Sequence, residues 1–297
     1  GERGESSPRW SPDGRRIAFV ARRGDDAVAQ IYLLHADGGE ARRLTAHPTA
    51  PSDPVWSLDG RLIFFVAANA PSAAAKEKSR LQDDVFAFEE TNYEQRHLWV
   101  TDLDGKTTQI TFGDYSVVGY SLAPGGSRIA MSRAPSPLLE HRVRAEAWVM
   151  DANGGNARRL TTNEVTESDV ALSPDGSQVL FTADANERFE SYYNDKLFLE
   201  PAAGGTARVL LPDVPYQITA AQWLPDGAHI AFLANHGVHT QLMQVDVASR
   251  RVTALTEGDH TIAGWRMDPR TLFFQTLRQV AAGAEAATQH GPLERIA

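Results

Sequence analysis

Residues 7–20 read SPRWSPDGRRIAFV: a large aromatic, a Ser-Pro-Asp-Gly tetrapeptide and an apolar alternation in immediate succession. Pro presets φ for a turn, Asp tolerates the position that follows, and Gly takes the positive φ that closes it. The tetrapeptide therefore predicts a hairpin between two antiparallel strands. The pattern recurs as WSLDG (Trp56 to Gly60), LAPGG (Leu122 to Gly126), LSPDG (Leu172 to Gly176) and WLPDG (Trp223 to Gly227). A degenerate sixth copy is WRMDP, from Trp265 to Pro269. Three and five residues after each anchor stand Ile17 and Phe19, Ile63 and Phe65, Ile129 and Met131, Val179 and Phe181, Ile230 and Phe232, Leu272 and Phe274. Apolar residues two apart on one side are the signature of a strand with one face buried.

A third strand follows in each complete copy (QIYLLHADGG, RHLWVTDLDG, EAWVMDANGG, KLFLEPAAGG, QLMQVDVASR), and a fourth comes after its turn (ARRLT, TTQIT, ARRLT, ARVLL, VTALT). Four short strands per unit make a propeller blade, which must pack on its neighbours because it cannot cover both apolar faces alone. The expected fold is all-β: a six-bladed, or alternatively seven-bladed, β-propeller of four-stranded antiparallel blades. It forms one domain over 1–297, with blades starting near residues 8, 53, 117, 168, 219 and 261. The recurrent Trp or Leu reads as packing between blades. The closing GPLERIA stands where a fourth strand of blade six belongs, whereas residues 278–291 make a poor third strand.

Anchor spacings of 46, 66, 50, 51 and 42 residues locate an insertion in the second repeat, NAPSAAAKEKSRLQDDVFAFEETNYEQ at 69–95. Proline and alanine, then a charged run, predict a loop or short helix leaving the blade. Loops on rigid scaffolds are where specificity usually lives.

Composition excludes several classes. The net charge of -9 is spread along the chain and the basic residues occur as pairs at turns, so nucleic acid is not an expected partner. No window approaches eighteen consecutive apolar residues, and a membrane span is not expected. The absence of cysteine removes disulfides, thiolate metal sites and a cysteine nucleophile, and leaves the compartment, cytoplasmic or periplasmic, open. No Gly-x-Ser-x-Gly elbow occurs; Ser127, in PGGSRIA, reads as the polar first residue of a strand. His236 and His239 have metal-like spacing but fall on the hairpin between second and third strands of blade five without a third ligand. Neither a metal, a cofactor nor a catalytic constellation is expected.

WSPDGRRIAFVA together with ADGGEARRLT resembles the repeat shared by TolB-like propellers and the N-terminal propeller of prolyl-oligopeptidase-family serine peptidases, which include the acylaminoacyl and dipeptidyl peptidases. RHLWVTDLDGKTTQITFGDYSVVGYSLAPGGSRIA, YYNDKLFLEPAAGG and HTQLMQVDVASRRVTALTEGD resemble the bacterial peptidases in segment order as well. The resemblance implies a domain that caps an α/β-hydrolase following it in the chain and admits small or unfolded peptides. No catalytic residue carries over. It also implies a reading of Glu89 and Glu90: dipeptidyl peptidases hold a substrate's amino terminus with adjacent glutamates of the propeller, and VFAFEETNYEQ offers such a pair, with Arg96 near enough to orient it. Two carboxylates facing one ammonium suit charge-assisted hydrogen bonding. The expected function is thus a non-catalytic propeller that gates peptides for a serine peptidase. The alternatives are a stand-alone TolB-like module binding a protein or peptide, and an enzyme working within its own channel.

Overall fold

Serine closes the turns that define the repeat. Ser11 Oγ donates to the Asp13 carboxylate at 2.6 Å and accepts the backbone N–H of Arg16 at 2.9 Å. The same pair of bonds recurs at Ser57, Asp59 and Leu62, and again at Ser173, Asp175 and Gln178. Each aspartate is held below the ordinary carboxylate range, chiefly by its serine hydroxyl; Asp175 falls to about 2. The glycine ending each turn sits at a φ between 67° and 72°, which an L side chain adopts only under strain.

The computed structural model describes residues 4–73, 76, 77, 93–163, 165–258, 260–268, 271–278, 289, 290 and 294–296. Five antiparallel sheets each hold four strands in unbroken chain order. In the first, Ser6–Trp10, Arg16–Ala21, Gln30–His35 and Arg42–Arg43 follow one another, and the turn joins the first two. The first strands of the next four sheets are Ser52–Trp56, Ser116–Leu122, Glu167–Leu172 and Ile218–Trp223. A last group begins at Thr261–Asp268. There Glu294–Ile296 is not a fourth strand as expected. It pairs with Leu272 to Phe274 of Thr271–Arg278, in line with Gln289–His290 on the same strand, and so takes the third position. Residues 279–288, the segment read as a poor third strand, lie outside the described residues.

The threonine ending each LT or IT segment also has a fixed task. Thr45, Thr111, Thr161 and Thr256 accept the N–H of Ile31, Leu98, Ala147 and Leu242, early in the third strand of their own sheets. A hydroxyl thereby satisfies a buried donor beyond the end of a very short fourth strand. The first strands depart from plain alternation. Register slips once in each of the first, second, fourth and fifth, where Ser7, Asp53, Asp169 and Ala220 adopt φ of 52° to 53°. These are β-bulges, in which two residues oppose one and the strand bends.

The chain divides into two compact units. The first comprises Gly1–Val118, Arg133–Val143 and Met150–Ala157; the second Gly119–Ser132, Arg144–Val149 and Arg158–Ala297. In the first unit, Ala18, Val20, Ile31 and Leu33 pack on Trp56, Ile63 and Phe65, and Trp56 Nε1 donates to the Arg9 carbonyl at 3.0 Å. In the second, Val179, Phe181 and Phe198 meet Ala130, Ala147 and Val149 on one side of their sheet, while Leu180, Leu197 and Leu199 meet Ile218, Trp223 and Phe232 on the other. Phe65, Phe181, Phe198 and Phe232 are wholly buried, each contributing about 2–3 kcal/mol of hydrophobic stabilisation. The anchor residues therefore pack between sheets, with one departure: Trp10 is 56% exposed, because its own unit offers no earlier first strand for it to cover.

Candidate functional site

Glu89 and Glu90 lie outside the described residues. Arg96 is described, at the start of the third strand of the second sheet, Arg96–Asp102, where the chain returns from the insertion. Its backbone N–H donates to Ser116 Oγ at 3.0 Å and its Nη2 to Ser52 Oγ at 2.7 Å. Ser116 Oγ in turn donates to Gln95 Oε1 at 2.6 Å, and Gln95 Nε2 donates to Asp114 Oδ1 at 2.9 Å and to the Pro135 carbonyl at 3.0 Å. Serines at the starts of two first strands thus hold this side chain and its backbone. Burial lowers the Arg96 pKa, the Asp53 carboxylate opposes that, and the Arg142 charge adds to it. The guanidinium remains a cation.

Arg142 ends the four-residue helix α1, Leu139–Arg142. Ser136 ties this helix down: its Oγ accepts the Leu138 N–H at 3.1 Å and lies 2.7 Å from His141 Nδ1. On the neighbouring strand stretch Arg128–Ala134, Arg133 is buried with its guanidinium 4.3 Å from the Tyr115 ring centroid. The Tyr115 ring meets His97 edge-on at 5.3 Å, and burial lowers the His97 pKa, keeping the imidazole neutral.

The second unit carries the opposite charge at the corresponding ends of its strands. Asp195 sits in Ser191–Pro201, where Gln217 Nε2 donates to its carboxylate and the Asp195 N–H donates to Gln217 Oε1 at 3.1 Å. Burial raises the Asp195 pKa and the charges of Asp184 and Asp169 raise it further, so three carboxylates share one neighbourhood. Asp169, at the bulge of its strand, accepts the Ala221 N–H at 3.2 Å; the surrounding atoms raise its pKa even though much of the residue is exposed. One Asp184 oxygen is buried without a hydrogen-bond partner among the described residues. Crowded carboxylates of this kind are relieved by a proton or by a cation. Sequence reading missed this group because its members are 11 to 26 residues apart and only the bulges bring them together.

Farther inside, Glu167 is 1% exposed, and its carboxylate accepts the Ala147 N–H at 2.6 Å and the Thr161 hydroxyl, which donates to it at 2.5 Å. Burial outweighs these bonds and pushes its pKa up to about 7. His236 and His239 are directly opposite in the hairpin register of the fifth sheet. Ser127 lies in the turn, one residue before its strand begins.

No family model matches the chain. Over 187 residues, 63% of its length, the chain is 27% identical to the uncharacterized peptidase YuxL of Bacillus subtilis, of which that stretch spans 23%. Over 147 residues, 48% of its length, it is 22% identical to dipeptidyl-peptidase 5 of Porphyromonas gingivalis, of which it spans 21%. The β-propeller domain of the trilobed protease from Pyrococcus furiosus superposes with a TM-score of 0.66 at 15% identity, over 98% of this chain and 80% of that one. The fold is that of a β-propeller. Acylaminoacyl peptidase from Pyrococcus horikoshii matches 99% of the propeller with a TM-score of 0.66 at 18% identity, and the propeller covers 45% of that chain. The putative TolB of Agrobacterium tumefaciens matches 86% of the propeller, over 82% of its own chain, with a TM-score of 0.57 at 16% identity. The propeller thus shares its fold with TolB-like and acylaminoacyl-peptidase propeller domains, and it spans less than a quarter of the curated peptidases it matches in sequence.

Proposed function

We propose that this propeller is the non-catalytic, substrate-selecting domain of a serine peptidase, six blades closed into one domain that limits entry to short or unfolded peptides. The observation that supports this best is the pairing of sequence and fold: both curated relatives are peptidases, and a peptidase more than twice as long matches the chain from end to end in fold. A domain that excludes folded proteins acts by size and by the charge at its mouth, and needs no nucleophile of its own. Within this reading Glu89 and Glu90 hold a free amino terminus, and Arg96, fastened by Ser52, is the nearby cation. The likeness to TolB supports a second reading, a module that binds a protein or peptide partner without any hydrolase.

The coding sequence beyond Ala297 separates the two. An in-frame α/β-hydrolase with a Gly-x-Ser-x-Gly elbow supports the first, and its removal of residues 1–297 should release cleavage of folded proteins. A stop codon directly after Ala297 would falsify the peptidase reading. The 297-residue chain alone is expected to turn over no chromogenic aminoacyl substrate.

A further inference from the structure

Arg96 and Arg142 come to one locality from different elements, the first from a strand of the second sheet and the second from helix α1. Each is partly buried, and they are close enough for the charge of Arg142 to act on Arg96. Neither is held there loosely. Ser52 fixes the Arg96 guanidinium through Nη2, Ser116 fixes its backbone, and Gln95 ties that strand to the Pro135 carbonyl at the root of the segment bearing α1. Ser136 then secures α1 itself.

Bringing two guanidinium groups together costs free energy that an anion between them returns. Among the described residues the carboxylate acting on Arg96 is Asp53, which is exposed and held at a φ of 52° in a bulge. Through Nη2 Arg96 makes its one side-chain hydrogen bond among the described residues, which leaves the other N–H groups of the fork available. Arg142 makes no hydrogen bond or ion pair among them. A planar fork with open donors beside a second cation suits a carboxylate, which accepts two parallel N–H bonds.

We propose that Arg96 and Arg142 form a receptor for a carboxylate carried by a peptide, either an acidic side chain or the C-terminal α-carboxylate. The proposal rests on the reading that the propeller receives peptides and adds the class it prefers.

Three tetrapeptides test it by calorimetric titration of the 297-residue chain: acetylated and amidated tetra-alanine, the same peptide with a free C-terminal carboxylate, and the amidated peptide with glutamate at its third position. At least one carboxylate peptide should bind about tenfold tighter than the neutral one, and added salt should reduce that advantage. Whichever peptide gains identifies the source of the carboxylate. Arg142→Gln, on a short surface helix that leaves the sheets intact, should reduce the advantage to less than about twofold while the neutral peptide binds as before. Arg96→Gln should do the same. Equal binding of all three peptides, or an advantage that survives in Arg142→Gln, overturns the carboxylate receptor and leaves peptide binding standing. Failure of all three to bind overturns both.

Discussion

Trp56 Nε1 donates to the backbone carbonyl of Arg9, 47 residues earlier and in a different sheet, at 3.0 Å. Trp265 repeats the bond to Ala220 at 3.0 Å. One anchor side chain thus combines burial of a large ring with satisfaction of a carbonyl at a neighbouring strand. Trp56→Phe should lose about 1 kcal/mol from the orphaned carbonyl, and Trp56→Ala about 3–5 kcal/mol because the cavity is added. Trp10→Ala, at an exposed anchor, should lose less than about 1 kcal/mol. Urea unfolding of the three variants measures the contrast, and equal losses at both tryptophans would remove the case for packing between sheets.

Gly105 and Gly38 separate steric approach from backbone strain. Both adopt a positive φ, 89° and 97°, in turns after third strands. A Cβ at Gly105 would stand 2.6 Å from the Leu44 carbonyl oxygen of the preceding sheet, whereas one at Gly38 would meet nothing within 4 Å. Gly38→Ala should therefore cost about 1 kcal/mol, and Gly105→Ala distinctly more, about 2–4 kcal/mol, because the two sheets must move apart. Comparable thermal shifts in the two variants would contradict the close approach.

Thr111 accepts the Leu98 N–H at 2.9 Å. Thr111→Val keeps the shape and removes the acceptor, leaving a buried donor unpaired, at a cost of about 1–3 kcal/mol. Hydrogen exchange at Leu98 should accelerate together with that loss. A Thr111→Ser variant, which keeps the acceptor, should protect Leu98 better than Thr111→Val does.

Glu167 makes stability depend on pH in the direction opposite to most acidic residues. Its folded pKa, raised by burial to about 7, stands above the model value of 4.5. Below about 4.5 both states hold the proton and the contribution is fully present. Between about 4.5 and about 7 the unfolded chain gives up its proton first, so stability is lost as pH rises through that window. Glu200, 2% exposed and likewise raised to about 7 by burial, adds to the same slope. Glu167→Gln should flatten the fall, gaining on the order of 1–3 kcal/mol over the parent at pH 8 relative to their difference at pH 4. Denaturant midpoints across that range decide it; an unchanged pH profile would mean that Glu167 ionises normally.

The positions of the strands and turns were legible because their causes are local. Pro, Asp and Gly act on dihedrals within four residues, and the apolar alternation needs only its own strand, so Trp10 to Phe19 announce a hairpin without reference to anything else. The bulges were not legible: a slip at Ser7, Asp53, Asp169 or Ala220 answers the bend that stacking against another sheet imposes, and no residue type marks it. The last sheet was misread for a related reason, since GPLERIA has strand composition but its partner is set by which edge is open, and Thr271–Arg278 offered its own.

The candidate site divides in the same way. The sequence by itself determined that the chain would be built from repeated four-stranded units, that Arg96 would stand at the exit of an insertion, and that no elbow serine was encoded. Tertiary structure alone decided that Arg96 lies on Ser52 and near Arg142, that Asp169, Asp184 and Asp195 crowd together, and that Glu167 is sealed from water. Turn chemistry is spent within a few bonds of the residue that carries it. Burial and charge proximity arise where strands from different parts of the chain stack, and they depend on neighbours that the local sequence does not name.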